Sequence, residues 1–373
     1  MFPAPACHHG VPRKHTALRG SASNGPALIH GTTPWHQGTL FPHSDDMPNI
    51  ITPRLRYNST AVRPQWEDLP PSVRQLIAQR LGGEVQAGPS AGSGFTSGFA
   101  AVLRGTSGPQ FVKAVNSADN TVVADCYRRE SLINQALPAQ IPAPRLQWVE
   151  EHCGWVVLGI DAVDGGRLPD TPWNPDELTA ALDAYTITAE ALTTPPVRLQ
   201  RVGLKPVGED GDFADWRNLT RGATPTNVLP SWMPLGLLDV LAGLESGWRE
   251  AVAGNAVLHH DLRQDNVLID SYGGAWICDW NWPCLGASWF DLVLLLATAY
   301  ADGHDATSLF RQHPTARGVT DEQLDAALAA LSGFFLTTGG QPPAAWSPHI
   351  RQHQTWCGEV TLRWLADRRG WTF

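Results

Sequence analysis

The sequence has no apolar run long enough to cross a membrane. Its longest uninterrupted apolar stretch, residues 292–297, falls far short of the roughly 20 residues that a membrane-spanning helix needs. The N-terminus also lacks the charged region followed by an apolar block that marks a signal peptide. We therefore expect a protein without a membrane segment, located in the cytoplasm.

Basic residues are fewer than acidic residues. The 373 residues include 27 lysines and arginines against 36 aspartates and glutamates, which gives a formal net charge of −9. Neutralising nucleic-acid phosphates requires a clustered basic face. The composition therefore argues against a nucleic-acid partner, and it accommodates cationic ligands more easily than anionic ones.

Cysteine and lysine are both sparse. The six cysteines are scattered without a CxxC pair, so neither a disulfide framework nor a structural zinc site is indicated and free thiols are expected. Only three lysines occur, and one of them, Lys113, stands inside the apolar run FVKAV. A lysine in such a run either reaches along its stem to solvent or has a specific partner.

The composition divides the chain into a tail and a folded part. Residues 1–60 are rich in proline, glycine, serine, threonine and histidine and have no helix or strand period, so we predict a disordered tail or sequence upstream of a start such as Met47. The full sequence is 43% hydrophobic and long enough to bury one large core or two modest ones. We place a first lobe at residues 61–159 and a second at residues 160–373.

The order of the predicted elements indicates an α+β fold. Glycine, proline and apolar patterns predict a helix at 71–81, a glycine-rich turn at 88–98, strands at 99–104 and 111–115, a helix at 125–136, and strands at 145–148 and 155–159. Helices follow at about 176–192, 233–253, 287–301, 321–337 and 349–369, with short strands at 267–269 and 275–278. A small sheet-rich lobe thus precedes a large helical lobe, and the cleft between them is the expected ligand site.

The segment VLHHDLRQDNVLI, residues 257–269, carries the strongest chemical signal. Asp261 and Asn266 lie on its polar loop, and Asp279 ends the next strand, 18 residues after Asp261. A hairpin brings Asn266 beside Asp279, and an amide with a carboxylate suits Mg²⁺. Asp261 is then left as an unpaired carboxylate that can accept a proton. For any one of these residues, turn formation is the competing interpretation.

The HxDxxxxN pattern followed by a strand-terminal aspartate resembles the catalytic and metal loops of the aminoglycoside phosphotransferase family. The segment GASWFDL, residues 286–292, is similar to a family segment whose aspartate, here Asp291, braces the catalytic loop. FVKAV and the later RRE, residues 128–130, resemble the kinase lysine and its helix glutamate. The resemblance covers about residues 66–369 and implies a two-lobed protein-kinase-like fold with an antiparallel-sheet N-lobe and a helical C-lobe.

The resemblance also implies an ATP site. Lys113 would hold the α- and β-phosphates and be anchored by Glu130. Backbone amides of the glycine-rich turn would cover the phosphates, although this turn also reads as a flexible hairpin end; its residues are Ser93, Gly94, Phe95 and Thr96. Backbone groups of the lobe connection would pair with the adenine edge, at Gly159, Ile160 and Ala162.

Three residues of the catalytic loop have less direct roles. His259 matches a family histidine that supports the loop backbone, whereas His260 replaces a residue that is usually glycine in relatives. Arg263 contacts phosphate or pairs with an acid, and the sequence leaves both open.

The resemblance implies transfer of the γ-phosphoryl group of ATP to a hydroxyl of a small molecule, with Mg²⁺ on Asn266 and Asp279 and Asp261 as the base. Overall acidity and the acid-rich segment 208–216 favour a cationic, aminoglycoside-like acceptor, although that segment is equally interpretable as a solvated loop. Amino alcohols, macrolides and sugars are the other acceptor classes. A kinase-fold binding module without catalysis is the alternative function.

Overall fold

The computed structural model describes residues 56–209, 211, 213–344 and 347–372. Most of the predicted tail, residues 1–55, lies outside the described residues. Its last residues do not: Tyr57–Ser59 form a 3-10 helix and Tyr57 is buried. The described fold therefore begins before the predicted lobe boundary at residue 61.

The N-lobe is a five-stranded antiparallel sheet with one helix on each face. The strand order is β1-β2-β3-β5-β4, and the elements in chain order are α1 (Pro71–Arg80), β1 (Gln86–Ser90), β2 (Phe99–Gly105), β3 (Gly108–Asn116), α2 (Thr121–Ala136), β4 (Leu146–His152) and β5 (Trp155–Asp161). Strand β1 occupies part of the predicted glycine-rich turn. Its sequence QAGPS has no apolar alternation, so only pairing with β2 identifies it as a strand.

Alternation along the strands decides which side chains reach each helix. Val157 packs with α1, whereas Val156, Leu158 and Ile160 of the same strand pack with α2. In β3, Val112 and Ala114 pack with the α1 layer and Val115 packs with the α2 layer. Lys113 consequently lies on the α2 side of the sheet.

The C-lobe is helical and contains the largest core. Its elements are α3 (Pro175–Leu192), α4 (Val197–Gln200), α5 (Asp215–Thr220), α6 (Leu238–Ser246), α7 (Trp248–Ala251), β6 (Ala256–Leu258), β7 (Val267–Ile269), β8 (Ala275–Ile277), β9 (Cys284–Gly286), α8 (Phe290–Ala301), α9 (Ala306–Gln312), α10 (Asp321–Gly339) and α11 (Ile350–Arg369). The helix predicted over 233–253 is divided into α6 and α7. Strands β6 and β9 pair with each other, and at three residues each they are too short to show a period in sequence.

The fold class predicted from the sequence is confirmed: an α+β, two-lobed protein-kinase-like fold. Strand β5 continues to Asp161, so the chain leaves the N-lobe slightly later than the predicted boundary at residue 159. Among the described residues, no helix combines the length and apolarity that a membrane crossing demands.

Candidate active site

A cavity of about 470 Å³ lies between the two lobes, and both contribute to its walls. Lys113 and Glu130 line it from the N-lobe, and Asp261, Asn266 and Asp279 line it from the C-lobe. The five side chains that the sequence selected for chemistry therefore face one space. Of the predicted backbone contacts, Ser93, Gly94, Phe95, Thr96, Ile160 and Ala162 also line it.

Lys113 forms one of the contacts between the lobes. Its Nζ donates to both oxygens of Glu130 at 2.7 and 2.8 Å and to Oδ1 of Asp279 at 2.7 Å. Its side chain is 12% exposed, which excludes the alternative of a lysine reaching to solvent. Burial acts to lower the pKa of Lys113, but the Asp279 and Glu130 carboxylates outweigh it and raise that pKa above its ordinary value.

Helix α2 places the lysine's partner by its own period. Asn120 caps the helix, its side chain accepting a hydrogen bond from the N–H of Val123 at 3.1 Å. Val123, Tyr127 and Glu130 are spaced by four and three residues, lie on one helix face and are buried. Because that face covers the sheet layer holding Lys113, Glu130 reaches the ammonium group.

The β7–β8 hairpin brings the predicted metal ligands together. Val267 pairs with Ile277, and the N–H of Cys278 donates to the carbonyl of Asn266 at 3.0 Å, so Asn266 and Asp279 flank the open end of the hairpin. Burial acts to raise the pKa of Asp279, but Lys113 holds it below the ordinary value. An ionised carboxylate beside an amide oxygen fits Mg²⁺.

The side chains at this site supply only part of the coordination shell of a metal ion. Within the described residues, no group of three or more histidine, cysteine, aspartate or glutamate side chains is arranged to hold a metal. Two protein oxygens leave most of an octahedral Mg²⁺ shell to water and phosphate oxygens, which is the usual arrangement in phosphoryl-transfer sites.

Asp261 is buried, with 6% exposure, and it differs from the unpaired carboxylate that the sequence predicts. Oδ1 accepts from Nη1 of Arg263, and Oδ2 accepts from Nδ2 of Asn266 at 3.2 Å. Arg263 also binds Asp265 through two hydrogen bonds of 3.0 Å. Of the two roles left open for Arg263, the structure shows the pairing with acids. Burial acts to raise the pKa of Asp261, but Arg263 holds it below the ordinary value.

Asp291 holds the catalytic loop through its backbone. Its two oxygens accept from the N–H groups of His259 at 2.6 Å and His260 at 2.7 Å. His260 has a φ of 64°, a left-handed conformation that glycine adopts most easily, which explains why this position favours glycine. His259 lies 2.9 Å from the carbonyl of Cys278 through Nε2, so its place is structural, as expected.

Asp291 provides a prediction for stability. Burial raises its pKa to about 7, above the unfolded value, so this group favours folding most at low pH and loses that contribution as pH rises to about 7. Between about pH 5 and about pH 8, the contribution of Asp291 to the free energy of unfolding should therefore fall by about 3 kcal/mol. Urea unfolding at both pH values should show this loss as the difference between the wild type and Asp291→Asn, because the other titrating groups are common to both proteins. Equal pH dependence in the two proteins would contradict the assignment.

The glycine-rich loop, residues 91–98, has the backbone features of a phosphate cover. Within the described residues, the N–H groups of Ser93, Gly94, Phe95 and Thr96 donate no hydrogen bond. Free successive amides of this kind form anion-binding concavities. Arg63 anchors this loop through hydrogen bonds to its carbonyl groups. Sequence reasoning missed Arg63 because no local pattern distinguishes it from a surface arginine.

The tip of the loop rests on the C-lobe. The Phe95 ring stacks on the imidazole of His353 at a centroid distance of 4.6 Å, and the guanidinium carbon of Arg263 lies 5.5 Å from the same ring. Phe95 is consequently buried. Its side chain contacts the arginine that pairs with Asp261, so the loop is closed over Asp261 and Arg263.

The predicted adenine contacts divide into two groups. Gly159 lies inside β5, paired with Val112 and Trp148, and a Cβ there would meet the Trp148 indole at 2.2 Å. It is thus a packing glycine and does not line the cavity, contrary to its predicted place. Ile160 and Ala162 do line it, and the N–H of Ala162 donates no hydrogen bond within the described residues.

A two-lobed protein-kinase-like fold whose cavity brings together a lysine–glutamate pair, a hairpin aspartate and a buried catalytic-loop aspartate defines a class, the kinase-like phosphotransferases. The chain belongs to the phosphotransferase enzyme family, whose sequence model matches residues 92–334. This match confirms the resemblance to aminoglycoside phosphotransferases, and the protein is a phosphotransferase enzyme.

Solved structures share the fold. The GDP and kanamycin complex of APH(2'')-IIIa is 15% identical, with a TM-score of 0.53, and the match covers 80% of this chain and 99% of that chain. The GDP complex of wild-type aminoglycoside 2'-phosphotransferase-IIIa is also 15% identical, with a TM-score of 0.53 and coverage of 82% and 100%. No curated protein matches this chain significantly in sequence.

Proposed function

We propose that this protein transfers the γ-phosphoryl group of ATP to a hydroxyl of a small molecule. The observation that carries the proposal is the position of Lys113, whose ammonium group bonds Glu130 and Asp279 at 2.7 Å each. This arrangement places a fixed cation and two charged partners opposite Asp261 in one cavity. A phosphoryl group needs such positioning and charge neutralisation more than covalent chemistry.

Each residue has one task in the proposed reaction. Lys113 orients the α- and β-phosphates, and the free amides of residues 93–96 cover the phosphates from the N-lobe. Asn266 and Asp279 would hold Mg²⁺, which when bound neutralises charge on the β- and γ-phosphates. Asp261 aligns the acceptor hydroxyl and takes its proton late in the transfer.

The ion pair between Arg263 and Asp261 affects how Asp261 would act as a base. By lowering the pKa of Asp261, Arg263 keeps the carboxylate ionised at neutral pH but makes it a weak base. A weak base suits a loose transition state, in which the hydroxyl becomes acidic only after much of the transfer has occurred. The hydrogen bond from Asn266 to the Asp261 backbone carbonyl, 2.7 Å, fixes the distance between the metal ligand and the base.

The acceptor is a small hydroxyl compound, and an aminoglycoside-like cation is one proposed class. The bound kanamycin of APH(2'')-IIIa supports this class. The acid-rich segment 208–216 does not: its described residues do not line the cavity, and Phe213 packs on Trp248 at 4.6 Å and Phe334 at 5.1 Å. Amino alcohols, macrolides and sugars are therefore tested together with aminoglycosides.

Acceptor-dependent release of ADP tests the proposal. A coupled assay with ATP, GTP and each acceptor class should give turnover for at least one hydroxyl compound, and chelation of Mg²⁺ should abolish it. Phosphorus NMR of the product should show a phosphate monoester. Nucleotide binding without turnover on any acceptor would favour the binding-module alternative instead.

A further inference from the structure

A segment that precedes the family-matched residues lies along the glycine-rich loop. This N-terminal segment, residues 56–63, pairs with the loop through two hydrogen bonds: Ala61 N–H to the Gly92 carbonyl at 2.8 Å and Thr60 Oγ1 to the Gly94 carbonyl at 2.9 Å. The approach is close enough that a Cβ on Gly92 would lie 2.0 Å from the carbonyl oxygen of Asn58. Loop and segment therefore form one unit.

Arg63 ends the segment inside the loop. Its Nε donates to the carbonyl of Ala91 at 3.1 Å, and Nη2 donates to the carbonyl of Ser93 at 3.0 Å. Nη1 donates to Oγ1 of Thr96 at 3.0 Å and to the carbonyl of Gly98 at 2.7 Å. A single guanidinium group thus donates hydrogen bonds to acceptors at both ends and in the middle of the loop.

These bonds affect the loop amides through peptide geometry. In a trans peptide the carbonyl and the following N–H point in opposite directions. Turning the carbonyls of Ala91 and Ser93 toward Arg63 directs the N–H groups of Gly92 and Gly94 away from it. The guanidinium therefore shapes the amide concavity that would receive an anion.

The same unit contacts the C-lobe. The Tyr57 ring lies edge-on to the imidazole of His353 at a centroid distance of 5.7 Å. Phe95 stacks on the same imidazole. His353 belongs to α11, which also lies outside the family-matched residues 92–334. Segments from both ends of the described chain thus hold the loop closed.

We propose that Arg63 is a positioning residue for nucleotide phosphates, because it fixes the carbonyls of the glycine-rich loop and so orients its amides. This inference rests on the proposed function, since it concerns the same nucleotide site. It adds a role for a residue outside the family-matched part of the chain.

The variant Arg63→Lys in the full chain tests it. Lysine keeps the charge, but its single ammonium group cannot reach the acceptors that the guanidinium fork spans. We expect the affinity for ADP to fall about tenfold or more while the affinity for adenosine, which has no phosphates, stays unchanged. Isothermal titration with both ligands measures the ratio.

Arg145→Lys is the matched control. The Arg145 guanidinium also joins carbonyls of one loop, those of Leu137, Pro138, Ala139 and Ile141, but it does not line the cavity. This variant should keep the wild-type ratio of ADP to adenosine affinity. If Arg63→Lys also keeps that ratio, or weakens both ligands equally, the inference is wrong.

Hydrogen exchange separates positioning from a direct phosphate contact. Without nucleotide, the hydrogen-bonded amides that join the loop to its neighbours, Ala61 N–H to the Gly92 carbonyl at 2.8 Å and Ala91 N–H to the Ala100 carbonyl at 2.7 Å, should exchange faster in Arg63→Lys than in the wild type, because the loop has lost its anchor. Unchanged exchange in the free variant would overturn the positioning role. A wild-type protein that binds neither ADP nor adenosine would refute the proposed function itself, and this inference with it.

Discussion

Replacing Asp261 with asparagine is expected to lower kcat by about 10²- to 10⁴-fold, the usual contribution of a general base. The substitution keeps the size of the side chain and one of the two oxygens, which can accept from Arg263 or from Asn266 but not from both, and it removes the carboxylate that accepts the proton. Because Asp261 does not hold the phosphates in the proposed reaction, the affinity for ATP should remain at the wild-type value. Steady-state kinetics and ATP titration measure the two effects separately.

Asp265→Asn is the matched control for this prediction. Asp265 lies on the same loop, is buried and binds the same Arg263 guanidinium with two hydrogen bonds of 3.0 Å. Its loss disturbs the arginine while leaving the proposed base in place, so kcat should fall far less than in Asp261→Asn. Near-normal transfer by Asp261→Asn, or an equal loss in both variants, would contradict Asp261 as the base.

Replacing Asp279 with asparagine is expected to reduce turnover by more than about 10³-fold, because the carboxylate has two partners in the proposed reaction. It would hold Mg²⁺ together with Asn266, and it accepts a hydrogen bond from Lys113 at 2.7 Å. An amide binds Mg²⁺ more weakly than a carboxylate does. In the wild type, ATP binding should therefore tighten with Mg²⁺, and in Asp279→Asn this dependence should disappear.

Glu130→Gln distinguishes the metal role of Asp279 from its contact with Lys113. Glu130 contributes the other two hydrogen bonds to that ammonium group, at 2.7 and 2.8 Å, but it is not a proposed metal ligand. This variant should weaken ATP binding while the Mg²⁺ dependence persists. Titrations of both variants with and without Mg²⁺ make the comparison. Mg²⁺ dependence that survives in Asp279→Asn would remove Asp279 from the metal site.

The residues that sequence reasoning placed best are those with short separations along the chain. Asp261 and Asn266 lie on one loop, and the β7–β8 hairpin joins Asn266 to Asp279 by local pairing. Lys113 and Glu130 required a longer step, which the family resemblance supplied; strand alternation and the helix period explain in the structure why the two side chains meet. In each case a regular strand, helix or hairpin geometry determines which way a side chain at a given position points.

The features that sequence reasoning missed depend on contacts between distant segments. Arg63 meets its acceptors 28 to 35 residues away, and no local pattern marks an arginine for that role. The pairing of Arg263 with an acid was one of two roles left open, and that this acid is Asp261 was missed for another reason: side chains two residues apart on an irregular loop meet only if the loop turns them toward each other. Gly159 was assigned to adenine because the end of β5 was predicted two residues early.

What the sequence determined by itself is the kind of protein: the two-lobed fold, the order of most of its elements and its membership of the phosphotransferase enzyme family. Local periods and spacings predict the elements, and the motifs indicate the family by resemblance; the roles of the lysine, the base and the hairpin ligands stay predictions. The tertiary structure alone decided the state of the site: the bond of Lys113 to Asp279, the pairing of Asp261 with Arg263, and the loop held by Arg63 and His353. The first and last of these join segments whose separation in space is set by packing of the whole chain, and the Asp261–Arg263 pair depends on how that packing turns an irregular loop, so no local rule predicts them.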